Sequence, residues 1–342
     1  MTNIISLKKI TAFILLFAAS LTIISCSESQ VKNDSLEVAA TIFPVYSIAE
    51  QIAGDNITVN LLIQPGESPH TFTPSVSTKQ ITERVKRVYV VDENFDKAVI
   101  NIIDSKSKTL AVNTNVNLLK YEDEHDDDKH KDDDDHDDDK HKDDDDHDDD
   151  KHKNDDDHDD DKHKDDDHDE HAHGEYNPHY WLSPNAAIKI ARNIADDMKT
   201  LDPNNASDYE ENYGVFEKSV TDLYAKLKAD ITSVSDVAFI TMHDAWAYFN
   251  EAFETNLVGS FEPSGAESPS PKYLAELQEK VDEKNAVAIF SEPQLSLSSI
   301  QQFIKDNNLR TGVLDPLGGV DGRMTYQELL EYNTSELVKT LR

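Results

Sequence analysis

The chain has a single cysteine, Cys26, and therefore has no internal disulfide. Positive charge is also scarce, since 33 Lys and Arg stand against 69 Asp and Glu, for a formal net charge of −36. No basic residues are clustered, which excludes nucleic acid as a partner. The HExxH pattern of many zinc hydrolases is missing as well.

Histidine is rare over most of the chain and crowded into one stretch. Eleven of the 14 His lie between residues 122 and 173, with 31 acidic residues and eight Lys, so this stretch holds 23 of the 36 net negative charges. An eleven-residue unit, HDDDKHKDDDD, repeats inside it. Only three histidines lie elsewhere, at His70, His179 and His243, which is the number that one tight metal site would need.

Residues 122–173, called the acidic segment below, contain almost nothing apolar to bury, so we expect a disordered loop. A charge run is usually only a solvated surface. Imidazoles placed among carboxylates favour weak binding of several divalent metal ions instead, as a collector of metal or a sensor of its excess. The candidate weak ligands are His125, His130, His136, His141, His147, His152, His158, His163, His168, His171 and His173.

Residues 1–25 have the pattern of a lipoprotein signal peptide. Two lysines precede an apolar run, Ile10–Ile24, that is too short to span a membrane. Ser25 directly before Cys26 resembles a lipobox, in which the cysteine becomes acylated; a plain secretory signal with an incidental cysteine is the alternative. We therefore predict a protein outside the cytoplasm, in the periplasm or at the cell surface. It would be anchored to a membrane by a lipid on Cys26 and tethered through residues 26–36.

Patterns of strands and helices alternate along the rest of the chain, which predicts an α/β fold with parallel sheets flanked by helices. Strands are predicted at 37–42, 57–63, 87–91, 109–113, 237–242, 257–260, 286–291 and 310–314. Helices are predicted at 43–54, 77–84, 94–104, from a cap at Ser183 or Asn185 to 201, and at 244–253, 271–284, 298–307 and 326–341.

Residues 205–231 contain no proline and have apolar side chains at spacings of three and four, which is typical of one long amphipathic helix. At 1.5 Å per residue, this helix would be roughly 40 Å long. We predict two lobes, residues 37–204 and 233–342, joined by a rigid helix over 205–232.

Three potential metal ligands, His70, His243 and Asp315, each follow a predicted strand. Ligands of open α/β sheets bind beyond the carboxyl ends of the strands, so two facing lobes would bring these residues to one crevice. His179 would enter from the chain that follows the acidic segment. Three imidazoles and one carboxylate fill a tetrahedral zinc shell. Spacing alone does not exclude Cu²⁺ or Ni²⁺.

Four stretches, in chain order, resemble the metal-ligand motifs of the zinc and manganese ABC-transporter solute-binding proteins (cluster 9). They are Pro65–Pro74 with His70, Asn177–Pro184 with His179, Met242–Phe249 with His243, and Leu314–Gly318 with Asp315. The resemblance covers Glu37–Arg342. It implies two α/β lobes joined by one long rigid helix, with the metal in the crevice between them.

The histidine-rich insert is similar to that of the zinc branch, and His243 stands where manganese-type relatives tend to have Glu. Pro69 stands where zinc-branch relatives have an acidic residue, so we expect Asp315 as the fourth ligand, with water as the alternative. Glu292, at the end of a predicted strand, is the candidate for a carboxylate that orients a ligand histidine, or for a catalytic base.

The resemblance implies a monomeric zinc-binding lipoprotein, not an enzyme, with one tight Zn²⁺ site and several weak sites in the acidic segment. Such a protein delivers zinc to an ABC-transporter permease that a cytoplasmic ATPase drives. A binding protein for manganese or another divalent metal is the alternative within the family. A zinc hydrolase would need an open coordination position and a base, for which only Glu292 is available. A metal buffer or adhesin without a transport partner is a further alternative.

Overall fold

The structure is a computed structural model that describes residues 36–121, 175–261 and 271–342. The predicted signal peptide, Cys26 and the acidic segment with its eleven histidines lie outside the described residues. In the part of the chain that is described, no helix is both long and apolar enough to cross a membrane.

The N-terminal lobe is built on a parallel sheet with the strand order β2-β1-β3-β4. Its strands are β1 (Leu36–Ala40), β2 (Ile57–Leu61), β3 (Arg87–Val90) and β4 (Thr109–Ala111). Its first helices are α1 (Phe43–Ala53), α2 (Val76–Arg84) and α3 (Lys97–Ile100). Short 3-10 turns lie at Pro69–Thr71 and Lys106–Lys108.

The described residues that flank the acidic segment lie side by side in the N-terminal lobe. Lys120 and Tyr176 form an isolated antiparallel bridge. The Lys120 Nζ is 2.6 Å from a carboxylate oxygen of Glu175 and lies over the Tyr176 ring. We call Lys120, Glu175 and Tyr176 the stem. The chain therefore returns from the acidic segment at nearly the point where it left.

Two helices follow the stem: α4 (Pro184–Leu201), which comes after a 3-10 turn at Tyr180–Leu182, and α5 (Ala206–Ile231), which comes after another at Pro203–Asn205. Proline at the first position of α4 starts that helix, because its fixed φ suits a helix and its missing N–H would have no intrahelical partner. Ser183 occupies the N-cap position, but its side chain makes no capping hydrogen bond.

The C-terminal lobe repeats the architecture with the strand order β6-β5-β7-β8, again parallel. Its strands are β5 (Phe239–Thr241), β6 (Leu257–Ser260), β7 (Ala288–Ser291) and β8 (Arg310–Val313). Its helices are α6 (Ala247–Phe253), α7 (Pro271–Lys284), α8 (Gln301–Asp306), which follows a 3-10 turn at Leu297–Ile300, and α9 (Tyr326–Leu341). The predicted α/β class and the two parallel sheets are confirmed.

Helix α5 contacts both lobes along its length. Near its start, Asn212 Nδ2 donates to the Ile52 carbonyl of α1 at 2.9 Å. Towards its end, the Tyr224 hydroxyl donates to the Ala252 carbonyl of α6. The side chains that it buries keep the predicted helical spacing: Tyr209, Tyr213, Phe216, Val220, Leu227 and Ile231. Side chains from one continuous helix are thus anchored in each lobe.

Each lobe has its own apolar cluster beside its sheet. The N-terminal cluster consists of Ala39, Leu62, Val85, Val88, Val90 and Val99. The larger C-terminal cluster includes Ile240, Met242, Phe261, Leu277, Ile289, Ile300 and Ile304. The central strands of the two sheets, β1, β3, β5 and β7, are largely buried, which explains why their sequences are mostly apolar.

The predicted helix at 94–104 is the largest difference from the sequence-based assignment, since only Lys97–Ile100 is α-helical. The Asp92 carboxylate accepts the backbone N–H groups of Asn94 and Phe95 at 2.7 and 2.9 Å, which holds these residues in a turn before the helix begins. The Asp96 carboxylate accepts the N–H of Val91. The resulting turn fixes Phe95 beside the site described next.

Candidate metal centre

The three histidines outside the acidic segment come from three different segments of the fold. His70 lies in the 3-10 turn Pro69–Thr71 after β2, and His243 follows β5. His179 directly precedes the 3-10 turn Tyr180–Leu182. Because β2 and β5 run into these loops at their carboxyl ends, the histidines meet at the place where α/β sheets bind ligands.

The imidazoles form a compact group. One ring nitrogen from each of His70, His179 and His243 lies within 4.8 Å of the other two. The ring centroids are 5.5 Å apart for His70 and His179, 5.0 Å for His70 and His243, and 4.8 Å for His179 and His243. Nitrogens bound to one tetrahedral zinc at its usual bond lengths would be about 3.3 Å apart. A small contraction of the group would therefore complete a metal site.

The three rings differ in their exposure to solvent. His179 is 2% exposed, His243 is half-buried and His70 is exposed. The site is therefore open on the side of His70 and closed behind His179.

The Glu292 carboxylate holds the ring of His243. Both carboxylate oxygens lie 3.3 Å from His243 Nδ1, and Trp246 Nε1 donates to one of them at 3.1 Å. Glu292 is buried and follows β7 directly. With Nδ1 facing this carboxylate, Nε2 is the nitrogen left for a metal. Of the two roles predicted for Glu292, this geometry fits the orienting one.

Asn177 holds the ring of His179 in a similar way. The Asn177 Oδ1 lies 2.9 Å from His179 Nδ1 and accepts the backbone N–H of the same histidine at 3.0 Å. Asn177 is buried. The sequence contained it in the second motif, but nothing there gave it a role.

Two aromatic rings wall the site. Phe95 meets His70 and His179 edge to face, with centroids 5.3 and 5.9 Å away, and Trp181 lies 5.1 Å from His179. Trp181 Nε1 donates to the Pro316 carbonyl at 2.8 Å, which ties this wall to the C-terminal lobe. Phe95 belongs to none of the four motifs, so no sequence signal pointed to it.

The structure does not bring Asp315 into the histidine group. One of its oxygens accepts the backbone N–H groups of Leu317 and Gly318 at 2.9 and 3.0 Å. The other lies 3.1 Å from Arg323, so an ion pair with that guanidinium occupies it. The predicted role of Asp315 as fourth ligand is not supported by this arrangement, because the loop after β8 uses the carboxylate for its own closure. Within the described residues, the group of converging metal-binding side chains consists of the three histidines.

The family model described as "Zinc-uptake complex component A periplasmic" (ZnuA) matches residues 38–340. The chain belongs to the ZnuA family.

Two relatives share about a quarter of their residues with this chain. The zinc-binding lipoprotein AdcA of Streptococcus pneumoniae (strain ATCC BAA-255 / R6) is 25% identical over 344 residues, which cover 98% of this chain and 61% of AdcA. The chain thus spans about three fifths of that relative. The high-affinity zinc uptake system protein ZnuA of Yersinia pestis is 27% identical over 315 residues, covering 90% of this chain and 92% of that protein. A crystal structure of ZnuA covers 90% of this chain and 100% of its own, with a TM-score of 0.67 and 21% identity, and supports the fold.

Proposed function

We propose that the chain captures Zn²⁺ outside the cytoplasm and delivers it to an ABC-transporter permease driven by a cytoplasmic ATPase. The observation that carries the proposal is the convergence of His70, His179 and His243 within 4.8 Å at one place in the fold. These three imidazoles are the protein ligands, and water holds the fourth position in place of Asp315. Membership of the ZnuA family supports the same role.

The donor set favours zinc over manganese. Imidazole nitrogens suit Zn²⁺, whereas Mn²⁺ prefers carboxylate, carbonyl and water oxygens. Among the described residues, no carboxylate belongs to the group of potential metal ligands that the three histidines form. The names of AdcA and of the Yersinia pestis relative, which refer to zinc, point to the same metal.

The chain acts as a binding protein and not as an enzyme. A zinc hydrolase would need a base close to the metal-bound water. Glu292, the candidate base, is instead engaged by His243 Nδ1 and by Trp246 Nε1. The carboxylate thus supports a ligand histidine and is already engaged by two partners.

The division of the chain follows from the same function. Residues 1–25 are the signal peptide, Cys26 carries the lipid that anchors the protein to the membrane, and 26–36 form the tether. Residues 37–204 and 233–342 are the lobes, and 205–232 link them. The name of AdcA as a lipoprotein supports the anchor. One copy of the chain supplies all three imidazoles, which supports a monomer.

The acidic segment supplies several weak sites that gather zinc near the tight one. The stem supports this division of labour, because Lys120 and Tyr176 flank the segment on its two sides and lie beside Asn177, which contacts His179. Metal bound to the segment stays tethered at high local concentration.

The test uses the mature protein without residues 122–173, in which only three histidines remain. Isothermal titration and metal analysis should give one tightly bound zinc. His179→Ala and His243→Ala should each remove tight binding. The matched control is His168→Ala in the full-length mature protein, which should keep it. One equivalent of tight zinc remaining in the deleted protein after both substitutions would exclude this site.

Transport is tested by growth under zinc chelation. Cells that lack the gene should grow poorly, and the wild-type gene should restore growth, whereas His179→Ala should not. If the His179→Ala variant restored growth, the protein would support growth without its metal site. That outcome would contradict a role in zinc delivery.

A further inference from the structure

The hydrogen bonds of Asn177 determine which nitrogen of His179 faces the metal. Its Nδ2 lies 2.7 Å from the backbone carbonyl of Asp244, and a carbonyl oxygen can only accept a hydrogen bond. The amide group is therefore oriented with NH₂ towards Asp244. Its oxygen must then face His179, where it is 2.9 Å from Nδ1.

An amide oxygen accepts hydrogen bonds and donates none, so His179 Nδ1 must carry the proton of the neutral ring. The lone pair is left on Nε2, the nitrogen that must be unprotonated to bind a metal. The same oxygen also accepts the backbone N–H of His179 at 3.0 Å, which fixes the ring relative to its own main chain.

The main chain of Asn177 is held just as firmly. Its N–H donates to the Leu119 carbonyl at 2.9 Å, and its own carbonyl accepts the Tyr248 hydroxyl at 2.8 Å. Tyr248 lies in α6, and Asp244 follows His243 directly. Asn177 therefore joins the ring of one proposed ligand to the backbone beside another.

We propose that Asn177 is a positioning residue that holds His179 in the Nδ1–H tautomer and sets its place relative to His243. This inference rests on the proposed function, since it assigns a task to a residue that does not touch the metal. Loss of such a partner to a ligand histidine typically weakens metal binding by about 10- to 100-fold.

The experiment compares Asn177→Ala with Asn177→Asp in the protein that lacks residues 122–173. Aspartate keeps an acceptor for Nδ1–H but loses the donor to Asp244. Nitrogen-15 NMR of the metal-free protein reports the tautomer, and zinc titration reports the affinity. We expect one Nδ1–H tautomer for His179 in the unsubstituted protein and in Asn177→Asp, and a mixture of tautomers in Asn177→Ala. Zinc affinity should fall about 10- to 100-fold in Asn177→Ala, and part of that loss should be recovered in Asn177→Asp.

Asn193→Ala is the matched control. The Asn193 amide donates to the Val112 and Thr114 carbonyls, each at 2.9 Å, so this variant also loses two hydrogen bonds to the backbone. It should keep the tautomer and the affinity. A single Nδ1–H tautomer in Asn177→Ala would overturn the proposal. So would an Asn177→Asp protein that folds but shows the mixture. If Asn177→Ala does not fold, the spectrum of Asn177→Asp still decides. Because the tautomer is measured without metal, its outcome is independent of whether the wild-type site binds zinc.

Discussion

Substitution of Gly319 by alanine should weaken the packing between the two lobes at the loop after β8. Gly319 has a φ of +81°, and a Cβ there would lie 2.7 Å from Pro65 Cγ and 2.9 Å from Phe43 Cδ2. Both neighbours belong to the N-terminal lobe, and Pro65 opens the loop that carries His70. The substitution thus adds a steric clash to an unfavourable backbone conformation.

The same loop contains a control for the backbone effect. Gly322 has a φ of +78°, but a Cβ there would meet nothing within 4 Å. A left-handed conformation costs an L-residue about 1–2 kcal/mol. Overpacking costs about 1–3 kcal/mol more, since Phe43 is buried and has little room to move. Gly322→Ala should therefore lower the free energy of unfolding by about 1–2 kcal/mol, and Gly319→Ala by about 2–5 kcal/mol.

Urea unfolding of the two variants and the wild-type protein, followed by circular dichroism, measures both values. The difference between the variants isolates the contact of Gly319 with Pro65 and Phe43. Zinc affinity should also fall more in Gly319→Ala, because the displaced loop leads to His70. Equal losses of stability in the two variants would refute the close approach of the lobes at this point.

The other predictions concern Asp315, Asp96 and the ligand itself. Asp315→Ala should lower the free energy of unfolding by up to about 3 kcal/mol, because it removes the buried carboxylate that pairs with the half-buried Arg323 and accepts the N–H groups of Leu317 and Gly318. The substitution should change zinc affinity by less than about tenfold; a loss of zinc binding as large as that of His243→Ala would instead make Asp315 a ligand. Burial raises the pKa of Asp96 from 3.8 to about 7, so ionisation costs the folded state stability as pH rises between these values. The Asp96→Asn variant has no carboxyl group to ionise there, so its free energy of unfolding should rise relative to that of the wild type as the pH is raised from 4 to 8, by up to about 4 kcal/mol. Urea unfolding at several pH values measures this difference, and a difference that does not change with pH would contradict the prediction. Zinc at one hundred times its Kd should raise the unfolding free energy of the protein without residues 122–173 by about 2.7 kcal/mol; an unchanged melting temperature would argue against a site present only in the folded state.

The sequence was sufficient for the architecture because the two sheets have simple signals. Apolar runs such as those of β3 and β7 alternate with amphipathic helices, and α5 keeps an apolar spacing of three and four over its whole length. The helix ends were predicted less well, because side-chain hydrogen bonds such as those of Asp92 decide them. These hydrogen bonds depend on local geometry, which periodicity does not report.

For the candidate site, the three histidines could be found because so few lie outside the acidic segment. Asp315 shows the limit of this reasoning. Its place after β8 was predicted, but its partner Arg323 lies eight residues further along a loop without a periodic pattern. Whether the Asp315 carboxylate faces the Arg323 guanidinium or a bound metal ion depends on the course of that loop. The role of Phe95 was missed for a similar reason, because only the folded chain brings it to His70.

The stem also allows the acidic segment to be deleted or replaced without a change in the rest of the fold. Lys120 and Tyr176 face each other across an antiparallel bridge, so the removal of residues 122–173 leaves Tyr121, Gly174 and Glu175 to join them. Three residues that include a glycine are enough for a hairpin connection. Longer inserts are tolerated as well, since the entropy of loop closure grows only with the logarithm of length. The protein can therefore gain, lose or replace a metal-gathering extension at this junction while the lobes and their three imidazoles keep their arrangement.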